Sequence, residues 1–397
     1  MNVRNIMGGI IIAVSSLSAC SGNKAASGSE VAADLDSIKF TVEPAPEWTN
    51  IFKRTSGWFG GDGIFVIPQS GADTTGDSLT ILFSDTMIGE IVGDSLKPGF
   101  VMTHNSVATI RGREPKEENI KFHWDKKTND APESIFIPAT PASQPGDYYW
   151  LGDGFVNPAI NHNTYIFGYR VRDVKVTSGF TFEQVGNTVI ILPKGSKPPY
   201  KDQRQMDVPF FKGGSDSSSV SFGSGVFVNT AAAGALNPDG FVYVYGVGGN
   251  KKNLVVARVL PADFEAIAKW QFWDGENWVN EMEKSSDITN HVSNELSVSE
   301  LPDGRFALVF QVDGISSIVG MRLGASPIGP FGPIINLYDC KRDLTSGKIF
   351  AYNAKAHPAL SKPGELLVSY NVNSFDFEKD IKIYPNLYRP RFFRVKF

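Results

Sequence analysis

A chain of 397 residues with 42% hydrophobic and 20% charged residues holds ample material for a large core. Its net charge of −4 and lack of a basic cluster exclude a nucleic-acid polyanion as partner. Two cysteines exclude a disulfide framework, and no CxxC, HExxH or Cys/His cluster marks a zinc site.

Residues 1–19 read as a targeting segment: one Arg, the short apolar run Ile6 to Val14, then small residues before Cys20. The run is too short for a permanent bilayer span. "LSAC" resembles the lipobox of bacterial lipoproteins, in which cleavage precedes the Cys and its sulfur is acylated. Cys20 is therefore the expected lipid site, and residues 20–44, rich in Gly, Ser and Ala, the expected flexible tether. Membrane contact is expected through this anchor only, in a bacterial cell envelope. Cys340, left alone in "INLYDC", reads as a small buried hydrophobe.

From residue 45 onward, short runs rich in Val, Ile, Phe and Tyr alternate with Gly, Pro, Asn and Asp turns. "GIFVIP", "LTILFSD" and "SVATIR" come first. "NTYIFGYRV", "NTVIILP", "GFVYVYGV", "NLVVARVL" and "RFALVFQV" follow, and "ELLVSYNV" and "RFFRVKF" close the chain. Only "PADFEAIAKW" suggests a short helix or turn. The spacing is that of an all-β fold.

The runs recur in five units, each opening on small or acidic residues and long enough for four antiparallel strands. A five-bladed β-propeller over residues 45–397 is the expected architecture, with a two-sheet sandwich as the alternative. The first strand of each blade would line a central funnel, and "RPRFFRVKF" would finish the ring beside the N-terminal region. The unit openings would then converge: Asp62, Asp153, Ser224, Asn294 with Glu295, and His357.

Asp85 closes the second strand of the first unit and is expected beside Asp62, with Asn105 and Ser106 of "HNSVA" pointing the same way. Several carboxylates in one funnel suit glycosidic bond hydrolysis, which needs one protonated acid and one carboxylate. Crowding like charges keeps one of them protonated. Asp62 is assigned base or nucleophile and Asp85 acid. Asp153, Glu295, His357 and Asn105 are assigned to substrate binding or pKa tuning. Each also has a plain structural reading: an Asp in "GDG" satisfies a tight turn, and a core His needs only one partner. Trp58, Tyr148, Tyr149 and Trp150 could stack on sugar faces or fill the core. Arg389 and Arg391 could hold substrate or anchor the closure of the ring. No cofactor is called for, although a structural cation in the funnel is compatible with this set.

"GGDGIFVIP", "LFSDTMIG", "HNSVA", "AHPAL…ELLVSYNVN" and "YRPRFFRV" resemble bacterial domains of unknown function numbered 4185 and 5005. These look like five-bladed propellers related in architecture to glycoside hydrolase families 43, 32 and 183. In the arabinan-cleaving members, aspartates in a "DG" and a following "DT" turn are implicated in catalysis, and they fall here on Asp62 and Asp85. Relatives often have "GDT" where this chain has "SDT". The resemblance implies a lipid-anchored glycoside hydrolase acting on a complex polysaccharide, arabinofuranose-containing glycans included. A non-catalytic glycan-binding or structural propeller is the other class the same residues allow.

Overall fold

The structure, a computed structural model, describes residues 34–73, 78–175, 181–214 and 218–397. Cys20 and the targeting segment lie outside the described residues. Among those described, no helix is long and apolar enough to cross a membrane.

The fold is all-β. Among the described residues there are seven antiparallel sheets. One joins Ser56–Gly61, Thr86–Val92, Ser95–Leu96 and Val101–Thr103, and a two-stranded one pairs Asp125–Lys126 with Pro132–Glu133. The other five, of four or six strands, follow one another along the chain. The first is Phe65–Pro68, Ser78–Phe83, Ser106–Arg111 and Ile120–His123. The second is Tyr148–Asn157, Asn163–Asp173, Phe182–Leu192 and Arg204–Val208. The third runs from Phe211–Lys212 through Val220–Asn229, Phe241–Gly248 and Asn253–Val259 to Gln271–Trp273 and Trp278–Val279, so it has six strands where four are expected. The fourth is Leu296–Glu300, Phe306–Gln311, Ile318–Gly324 and Ile335–Asp339.

The fifth sheet joins the two ends of the domain. Ile349–Ala356, Glu365–Ser374 and Arg391–Lys396 are completed by Thr41–Pro44, which pairs antiparallel with the last strand. Pairing the outer strand with an N-terminal segment removes an open edge. It also moves the start of the fold: the sequence boundary at residue 45 falls too late, because Thr41–Pro44 is already strand. "PADFEAIAKW" forms two 3-10 turns, Pro261–Asp263 and Ile267–Lys269, rather than a helix.

Apolar side chains on alternate faces of these strands meet between neighbouring sheets. Phe155, Phe167 and Val189 of the second sheet pack with Phe222, Val244 and Val255 of the third. Tyr245 and Val256 of the third meet Val298 and Leu308 of the fourth. The opening strands also lie side by side in chain order, Phe65–Pro68 on Tyr148–Asn157, then Val220–Asn229, Leu296–Glu300 and Ile349–Ala356. The turn after the last of them, Pro358–Leu360, packs back on Phe65–Pro68.

Three opening strands carry a register shift at the corresponding place: Leu151/Gly154, Phe222/Gly225 and Tyr352/Lys355. Each irregularity re-aims side chains toward the neighbouring opening strand, as bulges do. Asp153 and Ser224 lie within these irregular stretches, and Lys355 resumes the pairing after the third.

Candidate active site

Asp62 and Asp85 sit in two turns that are bonded to each other. The Asp62 N–H donates to the Asp85 carbonyl at 3.3 Å, and the Ser84 N–H to the Asp62 carbonyl at 2.9 Å. Gly63, with φ of +67°, turns the chain out of this pairing and into the Phe65–Pro68 strand. The Ser84 hydroxyl accepts the Leu151 N–H at 2.9 Å and fastens the second sheet beside this turn. That contact brings Trp150 to Asp85.

Asp62 is held from the C-terminal side. The Tyr352 hydroxyl donates to Asp62 Oδ2 at 2.7 Å, and the Tyr388 hydroxyl also bonds this carboxyl. Asp62 Oδ1 is closed off from solvent and has no partner. Burial pushes the Asp62 pKa up to about 8, with the charges of Asp85 and Glu295 adding to the rise and the two tyrosines opposing it. At neutral pH this carboxyl is protonated.

Asp85 has a different environment. Its Oδ1 accepts from the Trp150 indole N–H at 3.0 Å and lies 3.1 Å from His104 Nδ1. Its side chain keeps 21% exposure, against 35% for His104. The indole donates to this oxygen, and the imidazole does so as well when its Nδ1 carries the proton.

Glu295 lies within electrostatic reach of Asp62, and burial raises its pKa against the opposing pull of Lys355. Lys355 is 1% exposed, and its Nζ is 2.5 Å from Glu295 Oε2 and 3.0 Å from the Asn353 carbonyl. This is a buried ion pair. Asp153 is near the same centre but committed to backbone, accepting from Gly154 N at 2.8 Å and Val226 N at 2.7 Å. Burial raises its pKa to about 7, against those two amides.

Two other expected residues are corrected. Asn105 is fully buried, donating to the Phe136 and Tyr149 carbonyls and accepting from Phe136 N, so no polar atom is left for substrate. His357 is buried with Nε2 2.7 Å from the Ser369 hydroxyl, and burial holds its pKa well below the usual imidazole value. It lines a cavity of ≈ 570 Å³ together with Asp153, Lys355, Phe155, Val226 and Val298. Neither Asp62 nor Asp85 lines that cavity. Arg389 and Arg391 spend donors on the Phe59, Arg54, Leu387 and Arg389 carbonyls, which fits the anchoring role.

The aromatic residues divide. Trp58 is core, stacked on Phe122 at 4.4 Å, and Tyr149 is buried on Thr188 and Gln205. Tyr148 stacks on His104 at 3.7 Å, and Trp150 meets Phe182 edge-on at 4.7 Å, making one ring wall beside Asp85. On the Asp62 side, Tyr352 contacts Phe350, which meets Phe375 at 4.5 Å; Phe375 is 67% exposed. Sequence reading missed His104, Tyr352, Lys355 and Tyr388, although each lies in or beside a stretch already singled out. A lysine between alanines inside an apolar strand was the clearest signal, since Lys is almost never buried unpaired.

Gly60 is a test of how Tyr388 is held. A Cβ there would lie 2.4 Å from the Tyr388 carbonyl. Gly60→Ala is expected to cost about 1–3 kcal/mol, as overpacking does, in a urea unfolding titration. It should also lower the Asp62 pKa or raise it according to which way Tyr388 is displaced, so the stability loss is the decisive measurement.

Fold and site together define an all-β protein with a buried carboxyl of raised pKa and a second, partly exposed carboxyl on adjoining turns. The chain belongs to the family described as "Domain of unknown function (DUF5005)", which it matches over residues 46–397. A search of the curated proteins finds no match. A candidate hydrolase from Bacteroides ovatus shares the fold, with a TM-score of 0.70, 20% identity and 92% of each chain covered. A xylan β-1,4-xylosidase from Bacillus halodurans gives a TM-score of 0.44 at 11% identity, covering 81% of this chain and 50% of that one. An exo-β-1,3-galactanase from Clostridium thermocellum gives 0.43 at 9%, covering 84% and 58%. These last two likenesses are too slight to argue from.

Proposed function

We propose that this protein is a glycoside hydrolase built on a closed five-bladed propeller and held in a bacterial envelope by lipid on Cys20. Its substrate is a complex polysaccharide. The observation that carries the reading is the contrast between two neighbouring carboxyl groups, Asp62 pushed up to about 8 and Asp85 partly exposed beside Trp150 and His104. Glycoside hydrolysis needs that division.

The contrast exchanges the roles expected from sequence. Asp62, protonated, gives its proton to the glycosidic oxygen as the bond to the anomeric carbon breaks. Asp85, ionised, attacks that carbon or takes a proton from the attacking water. Tyr352 and Tyr388 orient Asp62, and the Tyr148–Trp150 wall offers ring faces to sugar C–H groups.

The test is a panel of arabinan, arabinogalactan, xylan and β-1,3-galactan, assayed for new reducing ends, with the anomer of the first product read by NMR. Release of reducing ends by the wild type, lost in both Asp62→Asn and Asp85→Asn, is expected. The shielding of Asp62 Oδ1 favours a second reading, a glycan-binding propeller without turnover. Binding of a panel glycan with equal affinity by wild type and Asp62→Asn, without cleavage, would establish it.

A further inference from the structure

We infer that His104 is a positioning residue for Asp85, fixing which carboxylate oxygen faces the substrate. The inference rests on the hydrolase reading and names a residue to which neither the family match nor the sequence motifs give a role. Asp85 Oδ1 is occupied twice, by Trp150 Nε1 at 3.0 Å and His104 Nδ1 at 3.1 Å. The indole can only donate, so Oδ1 accepts there, and the second contact has the same sense when His104 carries its proton on Nδ1. Oδ2 is then the oxygen left to meet the anomeric carbon or a water.

His104 is itself fixed on two further sides. Its ring lies on Tyr148 at 3.7 Å with an interplanar angle of 15°, and its backbone N–H donates to the Ser134 hydroxyl at 2.9 Å. Tyr148 is held in turn by its hydroxyl on Asp173 Oδ1 at 3.1 Å. The stack fixes the plane of the imidazole, and within that plane the contact with Asp85 Oδ1 selects the orientation that sets Nδ1, rather than a ring C–H, against the carboxylate. The two histidines differ in what the ring nitrogen meets: His104 faces a partly exposed carboxylate, whereas His357 is enclosed on the Ser369 hydroxyl.

Two substitutions separate the ring from its proton. His104→Asn keeps an N–H donor at about the place of Nδ1 and loses the stack. His104→Phe keeps the stack on Tyr148 and loses the donor. On the panel polysaccharide the wild type cleaves best, His104→Phe is expected to lower kcat about 10²-fold with KM little changed, the scale of a small misplacement at a reacting group. His104→Asn should recover most of that loss. Nitrogen-15 NMR of histidine-labelled protein should show His104 as the Nδ1–H tautomer at neutral pH, the less common form of free histidine. In Asp85→Leu it should relax toward Nε2–H. Full activity in His104→Phe, or an Nε2–H tautomer in the wild type, overturns the assignment. A wild type that cleaves nothing in the panel but keeps the Nδ1–H signature overturns the hydrolase reading and leaves the pinning of Asp85 standing.

Discussion

Asp62→Asn is expected to lower turnover by about 10³-fold, the scale of losing a positioned acid, and to raise the thermal midpoint above pH 8. The two effects come from one cause. Asp62 carries a pKa of about 8 against an ordinary 3.8, chiefly through burial and then through the charges of Asp85 and Glu295. A carboxyl raised on folding contributes stability that is complete below pH 4 and is lost as pH rises through 8, because the folded state holds the extra proton. Each pKa unit is worth about 1.4 kcal/mol, so the ionised side chain costs the fold several kcal/mol in alkali. An amide has the same outline and no proton to lose. The wild-type midpoint should therefore fall relative to Asp62→Asn between pH 5 and 9. Asp153 and Glu295 are also raised and add their own slope, which is why the difference between the two proteins is the quantity to measure. Parallel curves would mean that Asp62 is ionised throughout, and the acid role would fall with them.

The alternation of β-branched and aromatic residues with turn residues made the strands and the all-β class legible, while the five-unit reading left out the sheet formed by Ser56–Gly61, Thr86–Val92, Ser95–Leu96 and Val101–Thr103. The pairing of the Asp62 and Asp85 turns was also readable, because Asp62 opens one apolar run and Asp85 closes the next, which puts both at the same end of two antiparallel strands. The assignment of acid and base was not. It depends on which carboxyl the rest of the chain buries, and the residues that bury Asp62 arrive some 290 positions later in sequence, as with Tyr352. Asn105 shows the opposite limit. Its place in "HNSVA" drew attention to the right turn, but an amide there caps the Phe136 and Tyr149 backbone while its neighbour His104 reaches the carboxylate. Sequence could mark the turn and not the direction of each side chain along it.

Lys355→Met is expected to destabilise the fold by about 3–5 kcal/mol, the cost of leaving one member of a buried ion pair alone. Lys355 is almost wholly enclosed, and its Nζ faces Glu295 at 2.5 Å, with the Phe65 ring 4.5 Å away. Glu295 cannot reach water to recover the lost partner, so it must take up a proton or remain an uncompensated charge. Its pKa is already raised by burial, with Lys355 pulling against that rise. Removing the lysine raises it further, so the loss should be smaller at pH 5, where more of the acid is protonated, than at pH 8. Glu295→Gln in the same protein should recover much of the stability, since a Met beside an amide buries no net charge. The pair also reaches the chemistry, because the charge on Glu295 helps to hold Asp62 protonated. With Glu295 neutralised, Asp62 ionises at lower pH, and the alkaline limb of the hydrolysis profile should move down with it. Denaturant midpoints at the two pH values read the first effect, and a pH–rate profile reads the second. If the double variant is no more stable than Lys355→Met, then Lys355 serves the packing of the opening strands rather than the charge of Glu295.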